Sequence, residues 1–291
     1  MAYQRSLNRH LCGTHFIADV ERRVADTVKT QQMIVRQDRV AVALSGGKDS
    51  TALLLLLHHL LPEWDDVRLI AITVDEGIAG YREETIQSAE QLSSRLGIEH
   101  HSISFNALFG DSLDVILTGR ETQACSICGV LRKKALVVGA QLAGATKLAT
   151  GHNLDDEAQS VLMNVFRGDL QRLVRNSRLD SSGKFIPRIK PLSRISEKEI
   201  ATYLMLNDAW RELPECPYTL YALRREVRSI LSGFEYRHPG TMLQLMKSKE
   251  KIERYCKGSM ISEALHSCRE CDDPCSGDLC QVCLLRQSLG K

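Results

Sequence analysis

One short segment of the sequence restricts the fold more than any other. Residues 40–44 form a short apolar run that predicts a buried strand, and the apolar block at 51–61 predicts a helix. Between them lies S-G-G-K-D-S, residues 45–50. A turn from strand to helix presents backbone N–H groups at the helix N-terminus, where the partial positive charge favours anions. The sequence therefore predicts a phosphate-binding turn.

The side chains of this turn fit the same ligand. Gly46 and Gly47 let the backbone come close to phosphate oxygens, and Lys48 supplies a cation. The hydroxyl groups of Ser45 and Ser50 add two further donors. The spacing is neither the G-x-x-x-x-G-K of P-loops nor the G-x-G-x-x-G of dinucleotide-binding folds. A different class of phosphate-binding turn is therefore indicated.

Strand and helix patterns alternate along most of the chain. Further buried strands are predicted at 67–74, 98–104, 147–150 and 187–191. Helices are predicted at 18–35, 83–96, 125–142, 196–206, 219–231 and 241–255, together with one that opens within 151–157 and runs to about 166. A loop is predicted at 176–184. This alternation predicts the α/β class, a parallel sheet with helices on both faces and its ligand at the carboxyl ends of the strands.

Length and composition set the number of domains and the compartment. A chain of 291 residues that is 43% hydrophobic can form one α/β domain with small appendages. We expect a helical segment at 1–37, the main domain at 38–213, a basic helical region at 214–260 and a cysteine module at 261–291. Neither a membrane span nor a signal peptide is recognisable, so a cytoplasmic protein without a membrane partner is expected.

Positive charge is concentrated in one part of the chain. Residues 161–260 carry 19 Lys and Arg against 11 Asp and Glu, although the net charge of the whole chain is only +2. A local excess of this kind is typical of a surface that binds a polyanion, although a solvated face is the alternative. The candidate contacts are the basic side chains of the two helices after residue 218, namely Arg224, Arg225, Arg228, Lys247, Lys249, Lys251 and Arg254.

Two Cys-x-x-Cys pairs lie close together near the C-terminus. Four thiolates at this spacing predict a closed tetrahedral site for a structural zinc ion, with an iron–sulfur centre as the alternative. Metal binding would then supply the folding free energy of a segment too short to form its own core. The predicted ligands are Cys268, Cys271, Cys280 and Cys283, with Cys275 as a bystander.

A third pair, Cys125 and Cys128, has no second pair nearby. It could be a redox pair, half of a metal site or two buried thiols. Cys216, between Glu215 and Pro217, is the candidate third member. If the three cysteines meet at the strand ends, they can ligate three irons of a [4Fe–4S] cluster and leave the fourth iron open.

Five motifs in this order resemble one family. S-G-G-K-D-S, C-S-I-C-G, T-G-H-N-L-D-D-E-A, the E-C-P turn and the C-terminal double pair are similar to the tRNA 2-thiolation family of PP-loop ATP pyrophosphatases. That family includes TtcA, TtuA and the archaeal and eukaryotic wobble-uridine thiolases. The similarity extends over about residues 39–283 and is greatest to the TtuA and wobble-uridine branch. It implies an adenine nucleotide alpha hydrolase-like fold with a small zinc module.

The resemblance also implies a reaction: ATP activates the C2 oxygen of a tRNA uridine, and sulfur displaces AMP. Thr73 and Val74 would approach adenine, Gly151 would line the nucleotide site, and Asp156 would bind Mg²⁺ or act in catalysis. Arg132 falls where relatives often carry a lysine, so Lys133 could share that role. The residues implied to hold the ATP phosphates are Ser45, Gly46, Gly47, Lys48, Asp49 and Ser50, and the catalytic and cluster cysteines are Cys125, Cys128 and Cys216.

Several consequences of the resemblance concern partners and alternatives. It implies tRNA, a ubiquitin-like sulfur carrier or another sulfide donor, and a homodimer, and it weakly favours uridine 34 over 54. Relatives usually begin with a zinc site, but here only Cys12 and His15, with His10 nearby, are left, so a second zinc is not expected. The alternatives are a persulfide route without a cluster, an amide-forming ATP pyrophosphatase and a non-catalytic tRNA-binding protein.

Overall fold

The computed structural model describes residues 2–4, 9–64, 66–174, 186–221, 224–256 and 266–289. The loop predicted at 176–184 lies outside the described residues. Within them, no helix is both long enough and apolar enough to cross a membrane.

A five-stranded parallel sheet forms the centre of the molecule. Its strands lie in the order β5-β4-β3-β6-β7, and every neighbouring pair is parallel. All five predicted strands are therefore confirmed, as is the predicted fold class. The strands are β3 (Arg39–Ala43), β4 (Arg68–Asp75), β5 (Glu99–Ser104), β6 (Lys147–Ala149) and β7 (Arg188–Ile189).

Helices cover both faces of this sheet. The helices of the α/β domain are α1 (Gly13–Thr30), α2 (Lys48–Leu60), α3 (Arg82–Arg95), α4 (Phe105–Phe109), α5 (Leu113–Ile116), α6 (Ala124–Leu142), α7 (Leu154–Phe166), α8 (Leu170–Val174) and α9 (Glu197–Leu206). A short N-terminal hairpin pairs β1 (Ala2–Gln4) with β2 (Arg9–Leu11). After α9 the chain forms a one-turn 3₁₀ helix (Pro217–Tyr221), α10 (Arg224–Arg237) and α11 (Thr241–Tyr255). The C-terminal module consists of β8 (His266–Ser267), β9 (Pro274–Cys275) and α12 (Gln281–Ser288).

Alternate residues of the central strand face opposite helical layers. Val40 and Val42 pack into one apolar cluster with side chains of α1, α2 and α9. Ala41 faces the other cluster, with Ile72 of β4 and Ala140 of α6. This period of two places apolar side chains on both faces, as expected of a strand that is covered on each side. The sheet is thus a rigid base whose carboxyl edge carries the loops.

Two of the predicted helices have wrong boundaries. The first helix begins at Gly13, not 18, because Phe16 belongs to the apolar stripe one turn before Val20. It ends at Thr30 because Gln32 adopts a left-handed conformation, with φ of 49°. The helix predicted at 219–231 is a one-turn 3₁₀ helix followed by α10, which begins at Arg224. The capping box that opens α9 is present: Ser196 and Glu199 bond each other's backbone N–H groups.

The two basic helices pack against one helix of the main domain. Val227 and Leu231 of α10 and Met242 of α11 join Leu154 and Ala158 of α7 in one apolar cluster. Because α7 follows β6 directly, this packing brings α10 to the carboxyl edge of the sheet.

Candidate active site at the carboxyl edge of the sheet

Two serine residues stabilise the turn between β3 and α2 by hydrogen bonds within the turn. Ser50 Oγ accepts a hydrogen bond from the backbone N–H of Ser45 at 3.1 Å and donates to the Gly47 carbonyl at 2.9 Å. The two serine hydroxyls lie 3.1 Å apart. Gly47 occupies the N-cap of α2 and has no side chain to cap the helix. The turn therefore leaves the positive end of α2 open toward an anion.

Gly46, but not Gly47, is required by the backbone of this turn. Gly46 has a φ of 84°, and an added Cβ would lie 2.0 Å from the Thr85 carbonyl oxygen. Gly47 has room for a Cβ, with the Ser45 hydroxyl 3.5 Å away. Gly151 is a second tight position, because its Cβ would lie 3.1 Å from the backbone of Asp49 and Ser50. Its small size thus lets the loop after β6 pass the start of α2.

Lys48 lies between two carboxylates. Its Nζ is 2.9 Å from Glu197 Oε1 and 3.2 Å from Asp49 Oδ2. Burial opposes the charged form of Lys48, but these two carboxylates outweigh it and raise the pKa of the ammonium group. Glu197 also binds Arg228 of α10, at 2.5 and 2.6 Å. Sequence reasoning missed Glu197, which lies between the two capping-box residues of α9, Ser196 and Glu199.

Asp49 and Asp156 are linked through Asn153. Asn153 Nδ2 donates to Asp49 Oδ1 at 2.9 Å. Asn153 and Asp156 also form the capping box of α7, in which Asp156 Oδ2 accepts from the Asn153 backbone N–H at 3.3 Å. The other oxygen of Asp156 lies 3.8 Å from Arg224 Nη1. The two aspartates predicted to act on ATP thus belong to one hydrogen-bonded group beside the turn.

The predicted adenine contacts are buried in the sheet. Thr73 is 1% exposed, and its hydroxyl donates to the Leu44 carbonyl at 2.7 Å. Val74 is 4% exposed. The approach of Thr73 and Val74 to adenine stays a prediction. Because both side chains are buried, such a contact would have to come from their backbone atoms.

The three separated cysteines lie in one region. Cys128 is buried on α6, and Cys216 is packed against the same apolar cluster. Cys125 Sγ lies 3.7 Å from the carbonyl oxygen of Tyr218, two residues after Cys216. Burial raises the pKa of Cys128 to about 11 and also raises that of Cys216, although Arg132 lowers both. The fold therefore brings Cys216 to the pair at the start of α6.

This set of donors fits a cluster better than a single ion. The three sulfur atoms do not form a group within 4.8 Å, whereas the four C-terminal cysteines do. A cubane binds each thiolate through a different iron, so its ligands are spaced more widely than those of one ion. Three thiols also match three irons and leave one position open. Because Cys125 is exposed, that region is accessible from solvent.

An ion triad centred on a buried carboxylate connects the cysteines with the phosphate-binding turn. Glu76, directly after β4, binds Arg132 Nε at 2.5 Å and Arg82 Nε at 2.6 Å. Arg132 Nη2 donates to Cys128 Sγ at 3.2 Å, and Arg82 Nη1 donates to the Ser45 carbonyl at 3.1 Å. The sequence shows Asp75-Glu76-Gly77 at a strand end, but nothing local indicates that Glu76 meets two arginines.

Lys133 belongs to a separate basic group. Burial lowers the pKa of Lys133, and nearby Arg188, Arg172, Lys190 and Arg224 lower it further. Three of these cations have acidic partners: Lys190 lies 2.6 Å from Glu157, Arg172 lies 3.2 Å from Asp169, and Arg224 lies 3.8 Å from Asp156. Sequence reasoning missed Arg188 and Lys190, which lie on and directly after the short strand β7. The group offers positive charge next to the cysteine-bearing helix.

The predicted polyanion contacts fall into two sets. Arg224 and Arg228 point toward the sheet edge, where Arg224 also donates to Ser160 Oγ at 3.0 Å. The remaining five lie on α10 and α11, and of these Lys249 pairs with Glu253 at 3.6 Å and Arg254 donates to the Glu250 carbonyl at 3.4 Å. Of these five residues, four are exposed: Arg225, Lys247, Lys251 and Arg254.

The four C-terminal cysteines form a compact group. Their sulfur atoms all lie within 4.8 Å of one another, and Cys268, Cys280 and Cys283 are buried. The backbone N–H of Cys280 donates to Cys268 Sγ and lowers the pKa of that thiol to about 6. Cys275 is outside the group, and its thiol contacts the Gly277 carbonyl. The C-terminal group of four cysteines could hold one metal ion.

At the N-terminus, Cys12 Sγ lies 3.0 Å from His15 Nδ1.

Comparison with known proteins agrees with this geometry. The model of the PP-loop domain family matches residues 17–231. The tRNA 2-thiolation protein NcsA of Haloferax volcanii is 35% identical, over 96% of this chain and 93% of its own length. The cytoplasmic tRNA 2-thiolation protein 1 of Mus musculus is 36% identical, over 97% of this chain and 68% of its own.

A solved structure extends the similarity to three dimensions. The U34-tRNA thiolase NcsA from Methanococcus maripaludis, solved with its [4Fe–4S] cluster, has a TM-score of 0.87 and 32% identity. The match covers 100% of this chain and 94% of that one. This chain therefore belongs to the PP-loop family and, within it, to the tRNA 2-thiolation proteins.

Proposed function

We propose that this chain is a tRNA sulfurtransferase that uses ATP to replace the C2 oxygen of a uridine by sulfur. The observation that carries the proposal is the meeting of Cys125, Cys128 and Cys216 beside a phosphate-binding turn, joined to it by the ion triad of Glu76. The names of the relatives support tRNA thiolation over the amide-forming and non-catalytic alternatives. The U34 thiolase structure supports uridine 34 over 54.

The first half-reaction is adenylation. The uridine C2 oxygen attacks the α-phosphorus of ATP, and pyrophosphate leaves. Ser45, Gly46, Gly47 and the first turn of α2 would bind the leaving phosphates through hydroxyl and backbone N–H groups. Lys48 would exchange its contact with Glu197 for a phosphate oxygen. Asp49 and Asp156 carry the carboxylates that could hold Mg²⁺, which would neutralise the phosphates.

The second half-reaction is displacement. Hydrosulfide attacks C2, the C2–O bond breaks, and AMP leaves with the oxygen, so that no electrons are gained or lost. Cys125, Cys128 and Cys216 would hold a [4Fe–4S] cluster, which when bound supplies an open iron for the incoming sulfur. Arg132 and Lys133, in the middle of α6, would offset the charge on the phosphate of the leaving AMP.

The basic surface would hold the RNA. Exposed Arg225, Lys247, Lys251 and Arg254 lie on the two helices packed against α7 and can contact phosphates. Arg224 and Arg228, which point toward the catalytic edge, would contact the nucleotide nearest the target uridine. Lys249 would add charge from the same helix as Lys247.

Further parts of the proposal concern organisation and partners. We assign residues 1–37, 38–213, 214–260 and 261–291 to a helical segment, the catalytic domain, the RNA-binding region and a zinc module. A structural zinc on the four C-terminal cysteines follows from the all-thiolate donor set. A ubiquitin-like carrier or another sulfide donor would provide sulfur to a cytoplasmic homodimer.

Nucleoside mass spectrometry tests this function. The anaerobically purified protein is incubated with unmodified tRNA, ATP and sulfide, and the tRNA is digested and analysed. We expect 2-thiouridine that depends on ATP and is abolished in a Cys125→Ser, Cys128→Ser double variant. Cys256→Ser, at the end of α11, is the matched control and should retain activity. Full activity of the double variant would contradict the proposal.

A further inference from the structure

The buried carboxylate of Glu76 lies between two guanidinium groups. Glu76 is 2% exposed and Arg82 is 3% exposed. One carboxylate oxygen binds Arg132 Nε at 2.5 Å and the other lies 2.6 Å from Arg82 Nε. A buried carboxylate needs such partners, because removal of charge from water costs several kcal/mol.

Arg82 fixes one side of this carboxylate to the phosphate-binding turn. Its Nη1 atom donates to the Ser45 carbonyl at 3.1 Å and to Thr85 Oγ1 at 2.8 Å, and its Nη2 atom donates to the Val74 carbonyl. All of these acceptors belong to the sheet edge or to α3. Arg82 therefore cannot follow Glu76 if the carboxylate moves, and Glu76 has a fixed position.

Arg132 contacts the other carboxylate oxygen of Glu76, Oε1. Its side chain is 45% exposed, in contrast to that of Arg82, and it contacts Glu76 through Nε and Cys128 Sγ through Nη2, at 3.2 Å. The Glu76 contact uses the Nε edge of the guanidinium group and so orients its plane. Without it, a half-exposed arginine would adopt several rotamers.

Two guanidinium groups and one carboxylate leave one net positive charge in this group. Arg132, the partly exposed member, carries that charge next to Cys128 Sγ, which lies 3.2 Å from its Nη2. A charged donor makes a stronger hydrogen bond than a neutral one.

We propose that Glu76 is a positioning residue that holds Arg132 so that its guanidinium group donates to the sulfur of Cys128. The inference rests on the proposed function, because Cys128 is taken as a cluster ligand. Hydrogen bonds to ligand sulfurs raise the reduction potential of iron–sulfur clusters. Glu76 thus sets the potential and the orientation of the cluster relative to the phosphate-binding turn, although it touches neither cluster nor ATP.

Glu76→Asp tests this role because it keeps the charge and shortens the side chain. We expect normal iron content, a more negative reduction potential of the cluster, and thiolation reduced about 10- to 100-fold, the usual cost of losing a partner of a metal ligand. The decisive measurement is the same substitution in an Arg132→Met background. There Glu76→Asp should produce no further shift in potential, because the residue through which it acts is gone.

Glu199→Asp is the matched control. Glu199 is also buried and binds a guanidinium group, that of Arg23 at 2.5 Å, but it has no contact with the cysteines. It should destabilise the protein and leave the potential unchanged. Any of three results would overturn the inference: an unchanged potential in Glu76→Asp, an equal shift with and without Arg132, or iron loss in Glu76→Asp but not in Arg132→Met. A wild-type protein without any cluster would instead refute the proposed function.

Discussion

The molecule contains two sets of cysteines that differ in how they are brought together. The C-terminal four come from one short stretch, and their sulfurs lie within 4.8 Å of one another. Cys125 and Cys128 lie on α6, whereas Cys216 comes from a turn that follows two more strands and three more helices. The first set is assembled by local turns. The second exists only because the complete α/β domain has folded.

Under the proposed function, this difference corresponds to two kinds of chemistry. A tight, mostly buried group of four thiols closes around one ion and has no place for a substrate. The wider group of three has an exposed member and is linked to the phosphate-binding turn by the ion triad of Glu76, Arg82 and Arg132. A local site can therefore stabilise structure, whereas a site that needs the whole fold can be placed next to a second substrate.

The largest effect is expected from Cys216→Ser. It should reduce thiolation at least about 100-fold, since loss of a ligand exceeds the usual effect of losing a ligand's partner. Iron content should fall with it, and zinc content should stay at the wild-type level. Metal analysis of the purified variant checks both. Joint loss of iron and zinc would show that the two sets are not independent.

An intermediate effect is expected from Cys280→Ser, which removes one ligand of the local set. Zinc should be lost and the melting temperature should fall, because metal binding provides the folding free energy of the module. Val282, Leu285 and Leu289 of this module pack against the apolar cluster that contains Cys128. We therefore also expect the affinity for iron to fall by roughly twofold to tenfold. This is less than the usual effect of losing a partner of a metal ligand, because the module contacts the cysteines only through the apolar cluster.

The control for this experiment is Cys275→Ser, because Cys275 belongs to the same module but not to the group of four. It should retain zinc and iron. Normal iron retention in Cys280→Ser would mean that the module does not support α6.

The smallest effect is expected at the ion pair that joins the two regions. Lys134 of α6 binds both carboxylate oxygens of Asp273, at 2.5 and 2.6 Å, and both side chains are about a quarter exposed. A double-mutant cycle of Lys134→Met and Asp273→Asn should give a coupling free energy of about 0.5–1 kcal/mol. It should decrease at high salt, since the pair is partly solvated. A value above about 3 kcal/mol would place the pair among buried ion pairs.

The sequence predicts local features more completely than distant ones. The strand-to-helix turn at residues 45–50, the five strands and the grouping of the four C-terminal cysteines follow from patterns within a few residues, and all are present. No local pattern fixes a contact across the fold. The sequence therefore names Cys216 only as the candidate partner of Cys125 and Cys128, on the condition that the three meet at the strand ends. Glu76, Arg82 and Glu197 could not be identified, because their partners lie in other segments. Arg224 and Arg228 are predicted as contacts to a polyanion, but no local pattern indicates that both also pair with acidic groups at the sheet edge.

The central claim is that the three separated cysteines form the sulfur-transfer centre. Its most direct test is to measure iron, sulfide and the rate of 2-thiouridine formation in the same anaerobic preparations, loaded to different extents. The rate should rise in proportion to iron and approach its maximum at about four irons per chain, as expected for one [4Fe–4S] cluster. A colourless, iron-free protein that thiolates tRNA at the full rate would contradict the claim.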